Sequence, residues 1–205
     1  HSLAVDEAGA LYAWGYGDIG RLGLGEAQAG NQLAPARVAL PDGVRIRQAS
    51  AGYEHSLAVA ADGALYSFGE GLFGALGHGD EKNRWMPTRV AVLDDTPVRS
   101  AAAGSLHSAV LTEAGGVLTF GYNHHGQLGH GDREPRLVPT AVAALAGATV
   151  AEVAAGDRHT VVRLAGSGAL RAFGDNARGQ LGTGAAPGAR WQEPEEDDEK
   201  AGAPP

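Results

Sequence analysis

The stretch from residue 55 to residue 77, HSLAVAADGALYSFGEGLFGALG, contains the pattern that decides the fold of this 205-residue chain. His-Ser opens an apolar run, a second apolar segment ends in an aromatic residue and glycine, and Gly-x-Leu-Gly closes the pattern. The same order begins again at His1, His107 and His159, where serine or threonine always follows the histidine. A period of roughly fifty residues is typical of repeat architectures. The chain is therefore predicted to consist of four copies of one unit.

Each copy is predicted to contain four short antiparallel strands, separated by glycine or proline. In the second copy, the small residues of Ile46–Ala51 favour the innermost strand, where converging sheets leave little room. Residues 55–59 and Leu65–Gly69 form a hairpin with alternating apolar positions. Residues 87–90 begin with proline, which cannot donate to a sheet, so they form an outer edge strand.

Sheets of this kind cannot bury both faces alone, whereas radial stacking of the copies buries them. The fold is therefore predicted to be an all-β propeller with about four blades. The repeats occupy residues 1–192, and the copies start near residues 1, 46, 98 and 150. Residues 193–205, which hold six carboxylates and one lysine among Pro, Gly and Ala, are predicted to be a disordered acidic tail.

Composition excludes several classes of function. The formal net charge is −8, and most of it falls in the acidic segment, so the repeats lack the cationic face that direct nucleic-acid binding needs. No apolar stretch reaches the roughly 18 residues of a membrane span. The chain has no cysteine, which excludes thiolate metal sites and cysteine nucleophiles. The compartment stays undetermined, with an intracellular one, cytoplasm or nucleus, favoured.

One short motif imitates a nucleotide-binding loop. Residues 15–20, GYGDIG, match the Gly-x-Gly-x-x-Gly pattern, but no predicted helix follows them. The middle glycine, Gly17, becomes Asn123 and Asn176 in later copies. Because glycine and asparagine both tolerate a left-handed backbone, we interpret the motif as a turn.

Residues 126–132, GQLGHGD, preceded by FGYN at 120–123 and followed by PTAV at 139–142, resemble the repeat of the regulator-of-chromosome-condensation (RCC1) family. The resemblance extends from residue 1 to about residue 192. It implies a seven-bladed propeller, of which about three blades are missing here. The chain also opens on His1, in the middle of a unit, so we expect it to be a piece of a longer protein.

The repeated histidines do not predict a metal site or a cofactor. Equivalent positions in neighbouring blades lie roughly 10 Å apart, whereas zinc requires ligands at about 2 Å. We interpret them as hydrogen-bonding residues that tie a turn to the next strand. Adjacent His-Ser pairs point to opposite faces of a strand, so they do not form a catalytic triad.

The leading hypothesis is a non-enzymatic protein–protein interaction module. The Gly-x-x-His loops, which join the innermost strand to the next one, are expected to emerge together on one face and to dock another protein there. The candidate partner-binding residues are Tyr53, Glu54, His55, Leu106, His107, Asp157, Arg158 and His159. The open edges of an incomplete ring also predict self-association.

Two alternatives stay open. The resemblance implies that acidic and histidine residues of these loops engage a small GTPase in family members that act as guanine-nucleotide exchange factors. The matching positions here are Glu54, His55, Asp157 and His159. The chain is alternatively a propeller from a large ubiquitin ligase or signalling protein. A plant ultraviolet photoreceptor with this repeat carries tryptophan in the same loops, which argues against light sensing in this chain.

Overall fold

The computed structural model describes residues 1–184, and the predicted acidic tail lies outside them. The described residues form β-strands and short 3-10 turns, with no α-helix among them. In chain order the strands are β1 (Ser2–Val5), β2 (Leu11–Gly15), β3 (Gln32–Arg37), β4 (Ile46–Ala51), β5 (His55–Ala60), β6 (Leu65–Gly69), β7 (Arg84–Arg89), β8 (Val98–Ala103), β9 (His107–Thr112), β10 (Val117–Gly121), β11 (Arg136–Ala141), β12 (Val150–Ala155), β13 (His159–Leu164) and β14 (Leu170–Gly174).

The strands form four antiparallel sheets that follow one another along the chain. Their orders are β1-β2-β3, β4-β5-β6-β7, β8-β9-β10-β11 and β12-β13-β14. Each sheet is therefore a simple meander, as the glycine and proline punctuation predicts. The all-β propeller fold is confirmed, with four blades in an open ring.

The innermost strands lie side by side and join the blades. Strand β4 contacts β8, and β8 contacts β12. The first sheet has no innermost strand, and its β1, which is equivalent to the second strand β5, contacts β4. Small residues such as Ala101 and Ala103 allow this close approach. The side-chain amide of Gln48 on β4 donates to the Ala101 carbonyl at 2.8 Å and accepts from its N–H at 2.9 Å. A polar side chain thus extends the hydrogen bonding of one blade into the next.

The outer strands are edge strands, and each contains a bulge at its proline. Among the described strands, β7 pairs only with β6, where Ser67 is opposite Thr88 and Gly69 is opposite Arg84. Three residues of β7, including Pro87, therefore lie opposite Phe68 alone. The same register shift occurs in the first and third blades. A bulge places proline where no ladder hydrogen bond is required.

The hydrophobic core occupies the gaps between blades. Each of the three clusters of buried side chains combines residues from two consecutive sheets, so every sheet stays dry because of its neighbour. The largest fully buried side chains of the central blades are Phe68 and Phe120. Burying a phenylalanine of this kind contributes about 1.5–3 kcal/mol.

Candidate functional site

A repeated hydrogen bond joins consecutive blades at the start of each second strand. His1 Nε2 lies 2.7 Å from Ser56 Oγ, and His55 Nε2 lies 2.9 Å from Ser108 Oγ. His107 Nε2 lies 3.0 Å from Thr160 Oγ1. These histidines therefore have the predicted structural role. The hydroxyl that each one contacts lies in the following blade and not in its own. We call this contact the His–hydroxyl staple.

The hydroxyl of each staple fixes the tautomer of its histidine. Ser108 Oγ donates its only hydrogen to the Ala75 carbonyl at 2.8 Å, and Thr160 Oγ1 donates to the Gln127 carbonyl at 2.8 Å. Each hydroxyl must therefore accept from histidine, so Nε2 carries the proton. The Nδ1 atoms of His55 and His107 are buried and have no hydrogen-bond partner among residues 1–184, in agreement with an unprotonated nitrogen.

The rings of His55 and His107 are neutral at physiological pH. Burial, followed by the charge of His107, lowers the pKa of His55 to about 3. Burial, followed by the charge of His159, lowers the pKa of His107 to about 4. Both rings are fully buried and already bonded, so neither reaches a substrate. Each staple bond contributes about 1 kcal/mol to stability.

The first position of the Gly-x-x-His loop requires glycine, because the histidine ring packs directly against its Cα and leaves no room for a side chain. A Cβ atom at Gly104 would stand 2.2 Å from Cε1 of His107 and 2.7 Å from the Gly156 carbonyl oxygen. The same arrangement places Gly52 against His55 and the Gly104 carbonyl. The motif therefore encodes a joint between blades, because it allows the ring to reach the next hydroxyl.

We expect Gly104→Ala to destabilise the chain by about 1–3 kcal/mol, because the added methyl group overpacks the His107 ring and a backbone carbonyl. Urea unfolding followed by circular dichroism measures this loss. Gly30→Ala is the matched control, since no atom lies within 4 Å of its Cβ position. Equal stability of the two variants would contradict this account of the motif.

The interpretation of residues 15–20 as a left-handed turn at Gly17 is wrong. Gly17 has φ −106° and Gly71 has φ −95°, both outside the left-handed region. Glycine is required because a Cβ at Gly17 would stand 2.1 Å from the Gly30 carbonyl oxygen. The Gly17 N–H donates to Asn31 Oδ1 at 3.2 Å, so it is not free for a phosphate.

In the third blade, asparagine at the position equivalent to Gly17 holds the turn through its side chain. Asn123 is fully buried, and its Nδ2 donates to the carbonyls of Asp132 at 3.1 Å and Glu134 at 3.0 Å. Its Oδ1 accepts from the Leu128 N–H at 3.0 Å. In this blade a side chain fastens the turn to the following loop, whereas in the first blade the two backbones meet directly.

The three Gly-x-x-His loops lie next to one another, as predicted. The Tyr53 N–H donates to the Gly104 carbonyl at 3.2 Å, and the Ser105 N–H donates to the Asp157 carbonyl at 3.3 Å. These backbone bonds hold consecutive loops in a row. We call the exposed part of this row the loop surface, which comprises Tyr53, Glu54, Leu106, Asp157 and Arg158, with Glu70 and Tyr122 beside them.

At the second blade the loop surface is acidic. The Glu54 carboxylate lies 3.5 Å from the buried guanidinium of Arg21, which also donates to the Tyr53 carbonyl at 3.0 Å. Burial, followed by the hydrogen bond and charge of Glu54, raises the pKa of Glu70 to about 7. The Oε2 atom of Glu70 is buried and has no hydrogen-bond partner in the part of the chain that the structure describes. Tyr53, which is 68% exposed, lies next to Glu54 in the chain.

The third and fourth blades give the loop surface a different character. The Tyr122 N–H donates to the Leu106 carbonyl at 2.9 Å, and the Tyr122 ring lies 4.8 Å from the Phe73 ring. In the fourth blade, Arg158 Nε lies 3.4 Å from an Asp157 carboxylate oxygen, with both side chains mostly exposed. The loop surface thus presents carboxylates at the second blade, an apolar side chain and aromatic rings at the third, and an ion pair at the fourth, on loops of the same backbone structure.

Comparison with known families identifies the repeat. Residues 8–59, 62–111 and 114–163 match the family described as the regulator of chromosome condensation (RCC1) repeat. A second pattern with the same description matches residues 46–75, 98–127 and 150–180. The chain belongs to the RCC1 repeat family. The resemblance seen in the sequence is therefore confirmed.

Individual RCC1 relatives are similar along most of the chain. The probable E3 ubiquitin-protein ligase HERC3 of Homo sapiens is 41% identical over 184 residues, which cover 90% of this chain and 17% of that protein. The ultraviolet-B receptor UVR8 of Arabidopsis thaliana is 38% identical, over 90% of this chain and 41% of the receptor. The chain spans less than half the length of either relative.

A solved RCC1 structure shows the same fold. The crystal structure of Prp20p from Saccharomyces cerevisiae superposes with a TM-score of 0.70 at 28% identity. The matched part covers 78% of this chain and 40% of that chain. Prp20p binds Gsp1p and histones. The four blades therefore correspond to part of an RCC1 propeller.

The structure separates the eight candidate residues into two groups of five and two, and His159 belongs to neither group. Tyr53, Glu54, Leu106, Asp157 and Arg158 reach the loop surface, whereas His55 and His107 have no exposed surface and belong to the staples. His159 is partly exposed and makes no side-chain hydrogen bond to the described residues. Sequence reasoning missed Arg21 and Glu70. No motif marks either of them, since Ala75 and Tyr122 hold the equivalent positions in other blades.

Neither a metal site nor a membrane span is found in the described part of the chain. Among residues 1–184, no three His, Asp or Glu side chains group as ligands for one metal ion. The same residues include no helix with the length and apolar character of a membrane crossing.

Proposed function

We propose that this RCC1 chain is a protein-interaction module that docks partner proteins on the loop surface. The observation that carries the proposal is the row of three backbone-linked loops, which keeps one frame while its side chains change from blade to blade. Exposed Tyr53 and exposed Arg158 are of the residue types that dominate binding energy at protein interfaces, and half-buried Leu106 adds an apolar contact beside acidic neighbours. The buried staples His55 and His107 hold the frame from beneath, and His159 lies at its margin.

We infer that the chain itself catalyses no reaction. Among residues 1–184, the hydroxyl groups beside histidine are the only arrangement that resembles an activated nucleophile. Ser108 is fully buried, and its hydrogen is donated to a carbonyl while its oxygen accepts from His55. A nucleophile requires the opposite polarity, with histidine as the acceptor of the hydroxyl proton.

The docking hypothesis is tested by a triple variant, Tyr53→Ala, Leu106→Ala and Arg158→Ala. We expect bound partner proteins to be retained at least about tenfold more weakly, because a hot-spot residue contributes 2 kcal/mol or more. The measurement is quantitative co-precipitation from the source cells, with each protein compared between variants.

The matched control is a triple alanine variant on the outer strands, at Leu33, Met86 and Val138, which are exposed apolar residues at the sheet edge opposite the innermost strand. Partners that bind the loop surface stay with the control and are lost from the test variant. Equal loss from both variants, or loss from the control alone, would place the docking surface on the outer strands instead.

Regulation of a small GTPase is the second candidate function. It is favoured by the likeness to Prp20p, for which binding to Gsp1p is recorded, and by the acidic residues Glu54 and Asp157 on the loop surface. Release of a fluorescent nucleotide from a panel of small GTPases tests it directly. Unchanged release rates support the module without exchange activity. Accelerated release that Asp157→Ala abolishes would establish an exchange factor.

The third candidate is a propeller from a large ubiquitin ligase, which the 41% identity to HERC3 supports. In that case the loop surface would bind the proteins that another part of the longer chain modifies. Light sensing lacks such support despite the identity to UVR8, because the loops carry Tyr53, Ser105 and Asp157. The described tryptophans, Trp14 and Trp85, lie on β2 and β7 instead.

A further inference from the structure

One backbone hydrogen bond recurs on the loop surface of three blades and brings two side chains together in each. The N–H of the residue after the Phe-Gly dipeptide donates to the carbonyl of the residue before the loop histidine, at 2.9 Å in every blade. These two residues continue the register of the hairpin behind them, so their side chains share one face. We call them the presented pairs. They are Glu54 with Glu70, Leu106 with Tyr122, and Arg158 with Asp175.

The presented pair of the second blade has two carboxyl groups and one neighbouring cation. The Arg21 guanidinium lies 3.5 Å from the Glu54 carboxylate. Arg21 also donates to the carbonyls of Asp18 and Tyr53, at 3.0 Å each. Burial, followed by the hydrogen bond and charge of Glu54, holds the pKa of Glu70 at about 7. Near neutral pH a proton therefore stands where a second cation would compensate the pair.

The presented pair of the third blade is apolar. Leu106 is half-buried, and the centroid of the Tyr122 ring lies 4.8 Å from that of Phe73. The His124 ring lies 4.5 Å from the Tyr122 ring on the same surface. Neither member of this pair is charged, so the pair offers its contact area to an apolar side chain.

The presented pair of the fourth blade carries both signs of charge. Arg158 and Asp175 are opposite in charge, and the Asp157 carboxylate lies 3.4 Å from Arg158. These groups compensate one another, so this pair has little preference for the charge of a ligand. The selective part of the loop surface therefore lies on the second and third blades, each of which packs between two other blades.

We propose that the loop surface binds an extended protein segment in which a lysine or arginine and a large apolar residue stand three positions apart. The inference rests on the proposed docking function and specifies its partner. The cation takes the place of the proton between Glu54 and Glu70, beside the exposed ring of Tyr53. The apolar residue packs on Leu106 and Tyr122.

The spacing follows from the geometry of the blades. Equivalent positions on packed sheets lie roughly 10 Å apart, and an extended chain advances about 3.3 Å per residue, so three residues span one blade. The charge preference follows from the carboxyl pair. An acidic segment would add a third carboxylate beside Glu54 and Glu70, and a wholly apolar one would desolvate both groups without replacing their proton.

Selection of random peptides displayed on phage tests the proposal. The 205-residue chain is immobilised at pH 8, above the pKa of Glu70, so that the carboxyl pair has lost its proton. We expect the retained peptides to be enriched in lysine or arginine three positions from a leucine, isoleucine, methionine or aromatic residue. Retained peptides are then synthesised, and fluorescence polarisation measures their affinity.

Glu54→Gln combined with Glu70→Gln should weaken the binding of a retained peptide at least about tenfold, because it removes the charge that the cation meets. Replacing the basic residue of the peptide by glutamine should weaken binding to the unmodified chain equally and have little further effect on this variant. Tyr122→Ala should keep the selection for a basic residue and lose the selection for an apolar one.

The matched control is Glu7→Gln combined with Asp62→Asn, which should bind the peptides like the unmodified chain. Both carboxylates are exposed, and they lie in hairpin turns at the end of the strands opposite to the Gly-x-x-His loops. Circular dichroism verifies that all variants are folded. The control separates a local contact from a general effect of the net charge.

The proposal would be overturned by retained peptides that lack a basic residue, that show another spacing, or that bind the double glutamine variant undiminished. A selection that retains no peptide would overturn it as well. The triple variant Tyr53→Ala, Leu106→Ala and Arg158→Ala distinguishes this failure from failure of the docking function. Peptides of another composition that the triple variant no longer binds would leave docking on the loop surface intact, whereas peptides that it binds undiminished would contradict both proposals.

Discussion

Acidification is expected to destabilise this chain steeply, by about 1.4 kcal/mol per pH unit for each buried staple histidine. The unfolded chain binds protons at histidine near pH 6.5, whereas burial holds the pKa of His55 at about 3 and that of His107 at about 4. The stability that these neutral rings contribute is complete above pH 6.5. It is lost as the pH falls through 6.5 towards 4, because only the unfolded state takes up the protons.

The variant His107→Gln isolates the contribution of one staple. For His107 alone, linkage amounts to about 3 kcal/mol between pH 6.5 and pH 4. Urea unfolding at several pH values should therefore give a shallower slope of the unfolding free energy in the variant, by about 1.4 kcal/mol per pH unit. The raised pKa of Glu70 acts in the opposite direction, and it cancels because both proteins contain Glu70.

His124→Gln is the control for acidification, since His124 is exposed and belongs to no staple. Its slope should equal that of the unmodified chain. If the unfolding free energy of His107→Gln and of the unmodified chain had the same pH slope, the buried His107 ring would already be protonated in the folded state. Both of its nitrogens would then carry a proton, which would contradict the neutral Nε2–H tautomer.

Replacing Phe120, which lies between the second and third blades, by alanine is expected to lower the free energy of unfolding by about 3–5 kcal/mol, the range for phenylalanine in a packed core. Phe120 is fully buried, and it lies beneath Gly77 of the preceding blade. Phe120→Ala removes the side chain that fills the gap between two blades, and the loss combines the transfer free energy of the ring with the cost of the cavity that it leaves.

Urea unfolding measures the loss for Phe120→Ala, and Leu33→Ala is the control. Leu33 is 99% exposed, so its removal should change the free energy of unfolding by less than about 0.5 kcal/mol. A loss below 1 kcal/mol for Phe120→Ala would mean that the blades do not depend on their shared gap for stability.

The strands were predictable because local rules determine them. Alternating apolar residues define the hairpin of β5 and β6, and small residues define β4 and β8. The proline of β7 correctly predicted an edge strand, but it also required a bulge opposite Phe68. The bulge depends on which backbone groups meet across the ladder, and a single strand does not carry that information.

The staples were only half predictable. Periodicity identified the histidines as structural, and serine or threonine followed each one in the sequence. The acceptor of His55 is nevertheless Ser108, which is 53 residues away in the next copy. When every unit contains both partners, the sequence does not reveal whether a bond forms within a unit or between two units.

The loop surface shows a similar division. Its row of loops follows from the repeat, whereas its electrostatics arise from residues outside the motif. Arg21 comes from the turn of the first blade and meets Glu54 of the second, and Glu70 follows β6. Likewise, Gly17 and Asn123 occupy equivalent positions for different reasons, one through close backbone approach and the other through side-chain hydrogen bonds.

The span of each staple also governs how the chain matures during synthesis. The hydrogen on His55 Nε2 has no acceptor until Ser108 has been translated, 53 residues later. At about 5–20 residues per second, a ribosome needs about 3–10 s to deliver it. One face of a newly synthesised blade is therefore exposed to solvent for several seconds, until the next blade covers it. A pause in translation between two copies prolongs the time during which chaperones can bind that face.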